Sequence, residues 1–114
     1  MIISTAPFIA ANRVTETKGQ VFGLVVRSRG LGGNIMAGLR SIGGGEIHEY
    51  TSLLEDTRRQ AIDRMVQNAT MMGANAIISM RFDSTELANT MSEIVAYGTA
   101  VVVVPDSAAP QPHE

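Results

Sequence analysis

The clearest alternation in the chain lies between Val14 and Ser28, where Val21, Val25 and Arg27 fall on one side and Phe22, Leu24, Val26 and Ser28 on the other. A period of two with β-branched enrichment predicts a strand. Lys18-Gly19 predicts a bend or bulge that divides it into two pieces. The glycines of Arg29-Gly-Leu-Gly-Gly33 then break the pattern, because a run of residues without Cβ atoms favours a loop. Asn34 is placed to cap a short helix with Ile35, Met36, Leu39 and Ile42 on one side, and Gly43-Gly-Gly45 stops it.

A longer helical period follows, from Glu49 or Ser52 to Met72. Leu54, Ala61, Met65, Ala69 and Met72 share a face that Ile62 and Val66 widen. Ser52 and Glu55 have capping-box spacing, and Gly73 stands where a left-handed C-terminal residue is wanted. Glu55, Arg59 and Asp63 line the opposite side at intervals suited to solvent-exposed pairing. The period returns to two over Ala76–Asp83, with Ala76, Ile78, Met80 and Phe82 expected on one face. A polar connection, Ser84 to Thr90, leads to a last strand from Ser92 to Val104.

That last strand is apolar on both faces toward its end, with Val101 and Val103 opposite Val102 and Val104. A small domain has few helices to cover two apolar faces, so a second copy of the chain is the expected cover. The resulting expectation is an α+β domain: an antiparallel sheet packed with one long and one short helix, in the order β-α-α-β-β. With 114 residues there is room for one core, assigned to residues 1–105. Residues 106–114, rich in Pro, Ala, Ser and Gln without periodicity, read as a disordered tail.

Composition narrows the chemistry. There is no cysteine, which removes disulfides, thiolate metal sites and a thiol nucleophile. Setting aside Asp106 and Glu114 leaves nine acids against nine bases in residues 1–105, and the five Phe and Tyr residues are scattered. A neutral body without clustered aromatics is a poor nucleic-acid binder. No leader-like segment or apolar run of membrane-spanning length is present, so a cytoplasmic protein is expected without membrane association.

Two residue groups stand out as sites. Arg27 and Arg29 flank a glycine-rich loop that opens a helix, so Arg27, Arg29, Gly32, Gly33 and Asn34 form a candidate site for an anionic small molecule. Neither the dinucleotide nor the Walker spacing is met, and the glycines also serve a plain strand-to-helix turn. Glu46, His48 and Glu49 form a candidate carboxylate–imidazole metal site, for a divalent cation, with several copies of the chain each supplying ligands. Their structural alternative is simple: the acids favour the positive end of the long helix and His48 is a solvated loop residue. No nucleophile–base–orienter set is recognisable, so the chain is expected to be non-enzymatic.

The stretch from Arg27 to Ile42, with Gly44-Gly-Glu-Ile47 and Tyr50-Thr51, resembles the bacterial YbjQ-like proteins. The likeness continues through Arg58, Ala61, Arg64-Met65, Gly73-Ala-Asn-Ala-Ile-Ile78, Arg81-Phe-Asp83 and Tyr97-Gly-Thr-Ala-Val101. It covers essentially residues 1–105. The resemblance implies a dodecin-like subunit in a ring-shaped homopentamer and a heavy-metal-binding label. It carries over no catalytic residues.

Overall fold

The structure, a computed structural model, describes residues 1–28, 48–88 and 91–106. It contains β1 (Ile2–Ile3), β2 (Asn12–Ser28), α1 (His48–Met71), β3 (Ala76–Ala88) and β4 (Met91–Pro105). The strands form one sheet in the order β1-β3-β4-β2. Both β2 and β3 run antiparallel to β4, while β1 runs parallel to β3. The class is α+β, but the sheet is mixed rather than antiparallel throughout. A two-residue strand such as β1 has no periodicity to betray it. The short helix expected after Asn34 lies outside the described residues, as do residues 107–114 of the expected tail.

The strands depart from the sequence pattern in instructive ways. Lys18-Gly19 does mark a bulge, with Gly19 at φ 125° and a register shift between Thr17 and Gly19. The strand nevertheless runs through it as a single element of 17 residues. In β3 the expected face of Ala76, Ile78, Met80 and Phe82 is split. Ser79 adopts φ 55° and the register slips between Ile78 and Arg81. An extra residue reverses the alternation, so Ile77 and Met80 enter the core with Ala96 while Ala76 and Ile78 join a second cluster with Val101.

The polar segment expected as a connection is also strand. Ser84, Thr85 and Glu86 pair with Ile94, Glu93 and Ser92, and the hairpin closes where Ala88 opposes Met91. All three are exposed, so their polarity is no obstacle to pairing.

Helix α1 begins at His48, so Ser52 and Glu55 lie inside it rather than at its start. Its end follows the expectation closely. Gly73 has φ 85°, its N–H reaches Thr70 O at 3.0 Å, and the N–H of Ala74 reaches Ala69 O at 3.1 Å. These are the two bonds of a Schellman termination, which satisfies carbonyls the helix leaves free.

The buried row of α1 is Thr57, Ala61, Met65 and Ala69, at intervals of four that keep one face on the sheet. The Thr57 hydroxyl donates to Leu53 O at 2.8 Å, so its burial leaves no orphan donor. Leu54, expected on this face, is exposed. Asp56 stands beside Arg27, one residue from the end of β2.

Closeness of helix and strand depends on Gly23. A Cβ there would run into the backbone at Ala61 and Met65, so no side chain fits between β2 and α1 at this point. Val21 and Val25 on either side of Gly23 fill the flanking space with Ala61, Met65 and Ala69.

The face of the sheet opposite α1 is partly closed by the chain itself. Val101 and Val103, only 1% and 5% exposed, pack with Ala76, Ile78 and Ile9. Residues 2–11 lace along β3: Ser4 N donates to Ile77 O at 2.9 Å, Ser79 N to Ala6 O at 2.9 Å and Met80 N to Ser4 O at 3.0 Å. Val101 and Val103 are thus closed off within the subunit rather than left open at the end of the last strand. From the N-terminal segment Ile9 packs there, beside Ala76 and Ile78 of β3.

Candidate functional site

Two features remain after the fold is accounted for: an open apolar surface on β2 and an incompletely paired arginine beneath the first half of α1.

The open surface begins with the outward row of β2. Phe22, Leu24 and Val26 are 54%, 38% and 47% exposed. Their cross-strand neighbours on β4 are Tyr97, Val95 and Glu93, and opposed residues share a face of the sheet. The row lies on an edge strand, since β2 ends the strand order. Around that edge the surface continues into a shallow groove of about 330 Å³ lined by Gln20, Val21, Phe22, Asn68, Met71 and Met72.

Two helix side chains fold over the same edge. Asn68 donates to Phe22 O at 2.8 Å and Arg64 donates to Leu24 O. Each occupies a carbonyl that an added strand would otherwise use, which limits indiscriminate pairing at an edge. Sequence reading missed both residues in this role. Their spacing of four was visible, but the strand carbonyls they meet depend on the packing angle of α1.

Arg27 lies on the helix-facing row of β2 with Val21 and Val25. Its Nε and Nη2 are withdrawn from water and have no hydrogen-bond partner among the described residues. The nearest carboxylate oxygen, Asp56 Oδ2, is 3.8 Å from Nη2, too far for a hydrogen bond. That oxygen instead accepts from Gln60 Nε2 at 3.0 Å. Asp56 therefore balances the charge of Arg27 without satisfying its donors. A buried donor left in this state costs about 1–3 kcal/mol.

The other members of the expected anion site, Arg29, Gly32, Gly33 and Asn34, lie outside the described residues. So does Glu46 of the expected metal group, while His48 and Glu49 stand in the first turn of α1. The loop position expected for His48 is thus helical. Among the described residues no three His, Cys, Asp or Glu side chains come together as a metal-ligand cluster. Glu55, Arg59 and Asp63 are exposed in series, and on the same stretch Gln60 Nε2 donates to Asp56 Oδ2.

A family model described as "Putative heavy-metal-binding" matches residues 1–104. The chain belongs to this family, the YbjQ family. A UPF0145 protein of Bradyrhizobium sp. is 63% identical over 105 residues, covering 92% of this chain and 95% of the relative. A UPF0145 protein of Methanoregula boonei is 53% identical over 112 residues, covering 98% and 93%. One from Sulfurisphaera tokodaii is 56% identical over 103 residues, covering 90% of each. The last two organisms are archaea, so the YbjQ likeness is not confined to bacteria. A crystal structure of a protein of unknown function from the DUF74 family of Pediococcus pentosaceus shares the fold. Its TM-score is 0.59 at 14% identity, covering 91% of this chain and 98% of that one.

Proposed function

We propose that the chain is a non-enzymatic subunit of a homo-oligomer, a pentameric ring, that binds a small anionic ligand at its subunit boundaries. The observation that carries the assembly is the exposed row of Phe22, Leu24 and Val26 on an edge strand. Contiguous apolar surface of this kind on a soluble chain marks an interaction site. The shape agrees with it. The radius of gyration is 18.1 Å and the extents are 58 × 32 × 16 Å, against a radius of about 13 Å for a compact domain of this length. A long, thin ribbon leaves more surface to cover than α1 can reach.

Native mass spectrometry together with sedimentation velocity on untagged protein tests the assembly. A single species of five subunits is expected, and Phe22→Asp with Val26→Asp should reduce it to folded monomers. A wild-type monomer, or an oligomer unchanged by both substitutions, would remove the reading. Val101 and Val103 are not suitable probes, because they are buried within the subunit.

A metal-binding role is the second reading, favoured by the description of the family. The described residues do not assemble a donor set, so such a site would take ligands such as Glu46, His48 and Glu49 from several copies. Nothing in the described chain leads to a step of chemistry through a metal. Elsewhere, no helix among the described residues is long and apolar enough to cross a membrane.

A further inference from the structure

We propose that Arg27 is an oxyanion receptor: the Nε–Nη2 edge of its guanidinium takes a carboxylate or phosphate group at the margin between α1 and β2, presented by a free small molecule or by a neighbouring copy of the chain. The proposal rests on the reading of the chain as a ligand-binding subunit and gives that ligand a chemical class.

The N–H bonds of Nε and Nη2 run parallel along one side of a guanidinium. That side matches the two oxygens of a carboxylate or phosphate, and such paired bonds are stronger than neutral ones. In Arg27 this is the edge that is shielded from water and lacks an acceptor among the described residues. Asp56 does not relieve the mismatch, since its Oδ2 stays 3.8 Å away and is held by the Gln60 amide.

The Arg27 side chain retains 34% exposure, at atoms other than Nε and Nη2, so it stands at the margin of the helix–strand contact and the shielded edge opens with movement of Asp56, itself 59% exposed. Among the described residues β2 is the outermost strand on this side of the sheet. Asp56 tunes the site by opposing an incoming negative charge at close range. Removing its charge should therefore strengthen anion capture, whereas a purely structural ion pair would be weakened by the same change.

The test uses the full chain as wild type, Arg27→Lys, Arg27→Gln and Asp56→Asn. Inorganic phosphate and succinate are titrated against sodium chloride of equal ionic strength while the melting temperature is followed. Subunit mass is measured in parallel without either anion. Wild type should show a saturable rise with phosphate or succinate. Arg27→Lys, which keeps the charge but not the fork, should lose at least tenfold in affinity, and Asp56→Asn should bind several-fold more tightly.

If neither anion raises the melting temperature but Arg27→Lys dissociates an assembly that wild type forms and Asp56→Asn tightens, the oxyanion is a carboxylate of the neighbouring copy. Equal shifts in wild type and Arg27→Lys would overturn the proposal. So would absent shifts with an unchanged subunit mass. Should the Arg27 variants fail to fold, Asp56→Asn decides: no gain in anion binding or assembly overturns it. A monomeric wild type with saturable, Arg27-dependent binding would keep the receptor and remove the assembly.

Discussion

The face of the sheet turned away from α1 has two ends that began with the same problem. At one end Val101 and Val103 are buried with Ala76, Ile78 and Ile9; at the other Phe22, Leu24 and Val26 stand open. Side-chain character does not separate them, since both are rows of large apolar residues. What separates them is the backbone nearby. Along β3 the groups of Ile77, Ser79 and Met80 bond to Ser4 and Ala6, so a strap can be tied down as well as packed. At the β2 edge the carbonyls of Phe22 and Leu24 are already held by Asn68 and Arg64. Apolar surface alone does not recruit a cover from the same chain; it also needs unclaimed hydrogen-bonding groups beside it.

The comparison can be broken most severely from the helix side. Gly23→Val should cost about 3 kcal/mol or more, because the obstructing atoms are helix backbone that cannot rotate away. Urea unfolding measures it, and a loss under about 1 kcal/mol would mean that α1 does not sit as closely on β2 as described. Val101→Asp tests the strapped end directly. A charge without a partner in that cluster should cost about 3–5 kcal/mol and expose residues 2–11 to protease. Resistance equal to wild type would contradict the strap. The smallest effect is expected at Asn75, whose side chain exchanges two bonds with the backbone of Val103, at 2.9 Å and 2.8 Å. Asn75→Ala should cost about 1–3 kcal/mol, with faster hydrogen exchange at Val103 and little change at Phe22. Faster exchange at both would show that the two ends are coupled.

Much of this arrangement was legible along the chain. The alternation of Val21 and Val25 with Phe22, Leu24 and Val26 survives in the fold as a buried row and an open one, and Gly73 ends α1 as its position suggests. The phase of β3 was not legible, because Ser79 is a residue with no strong bias toward the left-handed conformation it adopts. Counting by twos cannot anticipate one inserted residue. The strap escaped notice for a different reason: its hold is mostly backbone bonding, which composition does not display. Of the candidate sites, Arg27 was named from its charge beside a glycine-rich loop. Asp56 and Gln60 entered only when the register of α1 on β2 was known.

Pairing across this sheet also dictates an order of events. Asn12 pairs with Pro105, Ser28 with Met91, and the N–H of Asp106 with Ala11 O. The first long strand thus has no sheet partner until the last one has left the ribosome, and the strap cannot dock before β3 exists. Such separation in sequence places folding on the order of milliseconds to seconds rather than microseconds. During synthesis the row of Phe22, Leu24 and Val26 waits exposed beside Val21 and Val25, making β2 the segment on which a chaperone would act.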